Sequence, residues 1–385
     1  MASTFQVESA VRRRYSEAAG KQVAALCCPI EYDRQYLKVI PQEIIDRDYG
    51  CGDPSKHLRT GETVLDLGSG TGKIAFIAAQ VVGPTGRIIG VDMNDDMLQM
   101  ARKYAPVVGQ AIGFHNVEFR KGRIQDLALD LERLDADLKS NPIQDANSFL
   151  AAGARAEELR LTAPLIAENS VDVVISNCVL NLVEPQAKQQ LFREIFRVLR
   201  QGGRAVISDI VSDERVPMEM QNDPVLWSGC IAGALTEAMF IQAFADAGFY
   251  GARILQRDAQ PWQTVSGIEF RALTIEAFKG RQADCFDHNQ AVIYKGPFKE
   301  VVDDDGHHLE RGLRYAVCDK TYQLYRKAPY HEYFEFVDPR VPIAPADAKP
   351  FTGVPGRLRD PRETKGVDYR ATTSASQCCD AGSCC

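Results

Sequence analysis

The sequence predicts an α/β fold, a mostly parallel sheet with helices packed on both faces, followed by a smaller β-rich unit. Three observations point to it. Short apolar runs alternate with helical stretches between residues 63 and 209, the pattern of successive βαβ units. Those runs are nearly continuous in Val, Ile and Leu, as in strands buried on both faces. Beyond residue 290 the alternation loses its helical spacing, which reads as antiparallel strands.

Residues 1–60 read as a helical lead-in or lid that ends in the turn-rich Tyr49-Gly50-Cys51-Gly52-Asp53-Pro54. The run 63–67 is a buried strand that stops in glycines, and 74–82 an apolar helix. A second strand follows over 87–92, a second helix over 95–104 and a third strand over 116–120. Leu127, Leu131, Leu134 and Leu138 recur at helical spacing, so the long connection that follows is predicted to begin as helix. It reads as an insert, 126–168, capping the sheet. A fourth strand spans 171–177, an amphipathic helix 185–200 and a fifth strand 203–209. A helix over 237–247 and strands over 252–255 and 270–278 complete a seven-stranded sheet, giving a domain over 61–280. Residues 281–337 form the β-rich unit, without helix over 291–336. The stretch 338–385 is rich in Pro, Asp, Lys, Ser and Gly, and reads as a flexible tail ending in Cys-Cys pairs.

Composition excludes several function classes. Of 385 residues 45% are hydrophobic, enough for a large core, and the formal charge is −7. Nucleic-acid binders usually present a basic stripe, and the triplet Arg12-Arg13-Arg14 is too short to be one. No apolar run approaches the ~20 residues needed to span a bilayer, and no secretory leader is visible. No nucleic acid and no membrane is therefore expected as a partner, and the expected compartment is the cytoplasm, where thiols stay reduced. In such a compartment eleven cysteines point to packing, metalloid ligation or catalysis rather than disulfides.

The strongest local signal is Val64-Leu65-Asp66-Leu67-Gly68-Ser69-Gly70-Thr71-Gly72-Lys73 at a strand-to-helix turn. Glycine lets the backbone turn tightly and approach a ligand. A dinucleotide fingerprint would need Gly or Ala where Lys73 stands, and a P-loop would need Ser or Thr where Ile74 stands. The loop instead resembles that of class I methyltransferases, with a Rossmann-like seven-stranded sheet, and this implies S-adenosyl-L-methionine as cofactor. Asp66, Gly68, Ser69, Gly70 and Gly72 would then meet its amino-acid end, and Asp92 its ribose hydroxyls, as an acid at this strand end does. Met93, Ile124 and Asn177 are further candidates around it.

The acceptor must lie outside the carboxyl ends of the strands, where the fourth strand runs into Ser176-Asn177-Cys178-Val179-Leu180-Asn181-Leu182. The Asn/Asp-Pro-Pro-Tyr/Phe of amino methylases is absent, and Asn177-Cys178 is no metal-binding carboxylate pair. This motif, Tyr49-Gly50-Cys51-Gly52-Asp53-Pro54 and Leu226-Trp227-Ser228-Gly229-Cys230-Ile231-Ala232-Gly233-Ala234-Leu235 are similar to the cysteine motifs of arsenite S-adenosylmethionine methyltransferases, over residues 10–280. The resemblance implies Cys51, Cys178 and Cys230 as catalytic arsenic ligands, with Cys27 or Cys28 as a further thiol. It also implies arsenite or methylarsenite as substrate, and an external thiol reductant such as glutathione or thioredoxin. Soft thiolates suit a soft centre, and thiol ionisation on ligation predicts affinity that rises with pH. Cys378, Cys379, Cys384 and Cys385 are a candidate capture site for arsenite. Two other functions fit the same residues: a small-molecule C- or O-methyltransferase of quinone or sterol type, and a non-catalytic metalloid-binding protein.

Overall fold

The computed structural model describes residues 7–20, 30–47, 49–280, 284–352 and 356–373. The candidate thiols Cys27, Cys28, Cys378, Cys379, Cys384 and Cys385 lie outside the described residues. The chain divides into two compact units, residues 1–280 and 281–385.

The first unit opens with α1 (Val7–Gly20), α2 (Arg34–Leu37) and α3 (Gln42–Ile45). The βα alternation follows: β1 (Thr63–Leu67), α4 (Lys73–Val82), β2 (Arg87–Asp92), α5 (Asp95–Ile112), β3 (Val117–Lys121), α6 (Leu131–Ser140), α7 (Ala146–Thr162), β4 (Val171–Asn177), α8 (Pro185–Val198) and β5 (Leu199–Ser212). Next come α9 (Met218–Gln221), α10 (Pro224–Ser228), β6 (Leu235–Thr236), α11 (Glu237–Asp246), β7 (Tyr250–Arg257), β8 (Gln263–Val265) and β9 (Ile268–Phe278). The sheet order is β3-β2-β1-β4-β5-β9-β7, with β6 beside β5 and β8 beside β9. Strands β1 to β5 run parallel, and β9 is antiparallel to both β5 and β7. These are the seven expected strands; β6 and β8 add two and three residues, too short for alternation to register.

Side-chain alternation along the strands builds a core on each face. Leu65, Leu67, Val174 and Ile207 pack with Phe192, Phe240 and Phe244 of α8 and α11. Val64, Ile88, Val173 and Val206 pack on the other face with Phe76, Ile77 and Leu98 of α4 and α5. Asn94 caps α5 by accepting from the Asp96 and Met97 amides. That helix runs past Pro106, where the sequence suggested a stop, and ends at Gly113, φ +87°. Its wet side leaves room for the ring.

The insert departs from expectation. It forms a helical hairpin, pinned by Arg155–Asp137 at 2.6 Å and Arg160–Asp126 at 2.8 Å. No residue of α6 and only Ala152 of α7 is buried, so these helices do not cap the sheet. Leu131, Leu134 and Leu138 are only half-buried.

The second unit holds β10 (Phe286–Asp287), β11 (Ala291–Tyr294), β12 (Glu300–Val302), β13 (His308–Glu310), β14 (Arg314–Ala316), α12 (Asp319–Tyr325), β15 (Phe334–Val337), β16 (Lys349–Pro350) and α13 (Pro361–Lys365). Strand β11 lies between β14 and β15, all antiparallel. Two expectations fail here. Helix α12 sits where none was predicted, because its buried Tyr322 and Tyr325 look like more of the surrounding aromatic alternation. The presumed tail carries regular structure: β16 pairs with β10, and Arg359 is buried against Asp287 at 2.6 Å and Glu363 at 2.8 Å. Strand pairing and one buried guanidinium hold a segment with few apolar residues.

Arg359→Ala strips Asp287 and Glu363 of this partner. Both are partly exposed, so the cost is below the ~3–5 kcal/mol of a fully buried broken pair. Amide exchange over 349–365 should accelerate with that over 63–91 unchanged; equal protection in variant and parent would contradict this account of the ordered tail.

Candidate functional site

The glycine loop is folded by its own backbone. Gly68 and Ser69 donate to Val91 O at 2.8 and 3.1 Å, tying β1's exit to β2. Gly68, Gly70 and Gly72 adopt φ of +66°, +52° and +93°, a region costly for other L-residues. A Cβ on Gly68 would lie 2.4 Å from Val179 Cγ1, whereas one on Gly70 would meet nothing within 4 Å. Gly70 faces a cavity lined also by Asp66, Gly68, Ser69, Asp92, Met93, Ile124, Asn177 and Cys178. Of the cofactor residues predicted from sequence, Gly72 alone is not on that lining; it starts α4 instead.

Asp92 accepts from the Gly70 amide at 2.9 Å and the Asn94 amide at 2.8 Å. Burial pushes its carboxyl above the usual range, against the pull of those amides. The Ser69 hydroxyl is buried with no hydrogen-bond partner among the described residues. An open cradle at Gly70, a buried hydroxyl, a strand-end carboxylate and the apolar side chains of Met93 and Ile124 fit S-adenosylmethionine.

Three thiols gather beside this cavity. Cys51, Cys178 and Cys230 come from three separate loops and share one buried cluster. Cys51 is placed by Asn177, whose Oδ1 accepts the Cys51 and Gly52 amides at 2.8 and 3.0 Å while its Nδ2 donates to Gly52 O at 2.8 Å. The flanking glycines are steric necessities: a Cβ on Gly50 would lie 2.2 Å from Asn177 Nδ2, and one on Gly52 2.6 Å from Ser208 Oγ. Cys178 follows β4 with φ +61° and donates its amide to Ser208 O at 2.8 Å. Cys230 follows α10 with φ +63°, and its Sγ lies 3.2 Å from Cys178 O. Left-handed backbone at a non-glycine residue costs on the order of 1 kcal/mol or more, and such strain concentrates at functional sites.

The thiols perturb one another. Cys178 is drawn down by its hydrogen bond with Cys230, but the bond with Cys51, burial and nearby charge push it up further, leaving it well above the usual thiol range. Cys230 is raised by its bond with Cys178 and by burial.

Sequence reasoning missed two groups here. Asp209, buried in the last third of β5, brings a carboxylate oxygen within 4.8 Å of the Cys51 and Cys178 sulfurs. It accepts from the Leu180 and Ile210 amides at 2.8 Å each, and burial pushes its pKa up to about 6. Its position near a carboxyl strand end was the available signal. Tyr15 of α1 lines the cavity and hydrogen-bonds Cys230; burial, then the two sulfurs, hold its hydroxyl well above the usual range. Only the docking of α1, through Arg14 to Val225 O at 2.8 Å and to Ser228 Oγ at 2.8 Å, brings it there. Asn177, expected at the cofactor, has its side-chain amide committed to the Cys51 loop.

The strand order, the glycine loop and the cavity define a class I S-adenosylmethionine-dependent methyltransferase. A methyltransferase-domain family model matches residues 58–158 and 137–263, and a domain of unknown function matches residues 281–369. The chain is 31% identical over 327 residues to an arsenite methyltransferase of Aquipseudomonas alcaligenes, covering 81% of this chain and 84% of that one. It is 28% identical over 343 residues to an arsenite methyltransferase of Mus musculus, covering 86% and 81%. The crystal structure of an arsenic (III) S-adenosylmethionine methyltransferase from Chlamydomonas reinhardtii superposes with a TM-score of 0.53 at 28% identity, covering 82% of this chain and 99% of that one. The chain belongs to the arsenite methyltransferase family.

Gly70→Ala adds a Cβ pointing into open cavity at a left-handed backbone position, so cofactor affinity should suffer more than the fold. Calorimetry is expected to give a Kd for S-adenosylmethionine roughly tenfold weaker, the equivalent of ~1.4 kcal/mol. Unaltered affinity would remove this loop from the cofactor site.

Proposed function

We propose that the chain transfers methyl groups from S-adenosylmethionine to trivalent arsenic held by Cys51, Cys178 and Cys230, in arsenic detoxification. One observation carries the reading: three buried thiols gather at one point, and one of them, Cys178, lines the same cavity as the glycine loop. Soft sulfur donors suit trivalent arsenic. Three of them would hold it as a pyramid that leaves its lone pair free.

S-adenosylmethionine, when bound, supplies an electrophilic methyl carbon on a sulfonium whose departure as a thioether leaves no charge behind. The chain's part is placement. Asp92 and the Gly68–Gly72 loop fix the cofactor's ends, while Asn177 and Asp209 fix the loops bearing Cys51 and Cys178. The lone pair is the nucleophile and loses no proton, so no general base is required. Alignment of this kind is worth up to ~7–11 kcal/mol. Tyr15 shields the thiols on the α1 side.

Arsenic is formally oxidised by two electrons as it gains a methyl group. A further cycle on trivalent methylarsenite therefore needs an external thiol, such as glutathione or thioredoxin, and a reducing compartment such as the cytoplasm. The pH expectation changes. With Cys178 and Cys230 raised well above the usual thiol range, these two thiols are neutral around neutral pH. Arsenous acid is neutral there too, so each As–S bond forms as thiol proton and hydroxide leave together as water. Equilibrium affinity should then be nearly flat from pH 6.5 to 8.5 rather than rising. A steep dependence in calorimetric titrations would mean that the thiols ionise in that range.

Purified protein incubated with S-adenosylmethionine, arsenite and a thiol should yield methylated arsenicals by arsenic speciation. Cys178→Ser should lower turnover on the order of 100-fold or more, the cost of misplacing a reacting atom, with cofactor affinity retained. Retained methylation of a carbon or oxygen acceptor in that variant would favour a quinone- or sterol-type enzyme, and cofactor binding without methylarsenicals a sequestering protein.

A further inference from the structure

The second unit contains two more thiols, which the proposed reaction does not use. Cys285 precedes β10, and Cys318 stands at the N-cap of α12. The fold brings them together. Strand β10 pairs with β16, the Phe351 amide donates to Cys285 O at 2.8 Å, and α12 packs on β10. Both are free thiols, and their side chains are in hydrogen-bonding contact. Cys318 is buried at 3% exposure, with its sulfur 3.4 Å from Thr321 Oγ1. Cys285 is partly exposed. Lys320 hydrogen-bonds the Cys285 sulfur.

The pair therefore has one sulfur reachable from solvent and a second directly behind it; burial and the Cys318 thiol hold Cys285 above its usual range, against the pull of the Lys320 ammonium. Among the described residues, no third Cys, His, Asp or Glu ligand atom gathers with these two sulfurs. Zinc, which takes four ligands in structural sites, is poorly served by such a set. Two sulfurs also fall short of the three that arsenite can take. They match a trivalent arsenical that already carries one carbon substituent, because it has two hydroxides left to exchange.

We propose that Cys285 and Cys318 form a second site, within the C-terminal unit, that chelates monosubstituted trivalent arsenicals such as methylarsenite. The choice of arsenic rests on the chemistry proposed for the first unit. In the exchange two As–O bonds break and two As–S bonds form. Each thiol proton leaves with a displaced hydroxide as water, and arsenic stays trivalent throughout. Cys285 makes the first bond and Cys318 closes the chelate. Such a site would retain the singly methylated species that a methyl transfer to arsenite generates, once it has been reduced.

The test counts arsenicals bound to the full-length reduced protein by native mass spectrometry, with phenylarsine oxide as the probe. Cys285→Ser and Cys318→Ser should each retain one equivalent fewer than the parent, with S-adenosylmethionine affinity unchanged. Cys285→Ser alters a partly exposed side chain, so it remains informative if the buried Cys318→Ser fails to fold. Equal counts in parent and Cys285→Ser would overturn the proposal, as would a Cys285–Cys318 disulfide that persists in the reduced protein. A separate turnover assay with arsenite keeps the two readings apart: absence of methylated product counts against the enzyme without altering this stoichiometry.

Discussion

The convergence of the three sulfurs depends on the side-chain amide of Asn177. It satisfies two backbone donors and one acceptor of the buried 51–52 loop. Each left unpaired away from water would cost about 1–3 kcal/mol. That loop can sit deep against β4 and β5 only because Asn177 is there and because Gly50 and Gly52 have no Cβ to collide with Asn177 and Ser208. Cys51 is carried in as a result. The next residue after Asn177 is Cys178, so one pair of neighbours at the end of β4 fixes one thiol directly and a second at a distance.

The remaining geometry follows from constraints on the same strand ends. Asp209 receives the Leu180 and Ile210 amides and so holds the chain after Cys178 close to β5. Asn181 donates from Nδ2 to Ile210 O at 2.6 Å and lies 3.3 Å from Cys230 O, linking the third thiol to the same frame. Cys178 and Cys230 pay for their place with left-handed backbone. A position whose only purpose was packing could relax that strain by shifting; here the hydrogen bonds around each residue forbid it. The common sheet supplies a cofactor cradle, and the three loops supply what is particular to a thiophilic acceptor.

Much of this was legible in the sequence. Strand and helix alternation through residue 209 follows from burial on both faces of a parallel sheet, which leaves unbroken apolar runs. The glycine loop and Asp92 are local in sequence, so spacing alone indicates them. Asn177 was legible as a residue of the site but not in its task, because its partners are more than a hundred residues away. Tyr15, whose partner Cys230 lies on a distant loop, was missed for the same reason, whereas Asp209 was missed although its partners Leu180 and Ile210 are near in sequence. The second unit was read least well: Tyr322 and Tyr325 mimic strand alternation, and burial of Arg359 cannot be inferred from a polar segment. The insert shows the opposite error, a leucine stripe that suggests a cap, although only Leu127 is buried and Leu131, Leu134 and Leu138 lie half-buried in a surface hairpin.

The central claim is that one arsenic atom is shared by the sulfurs of Cys51, Cys178 and Cys230. Arsenic K-edge X-ray absorption on the protein loaded with one equivalent of arsenite, with the four cysteines at 378, 379, 384 and 385 replaced by serine, measures this directly. Three sulfur scatterers and no oxygen are predicted, falling to two in the additional Cys178→Ser variant. A first shell that keeps oxygen, or a sulfur count that ignores Cys178→Ser, would contradict the account.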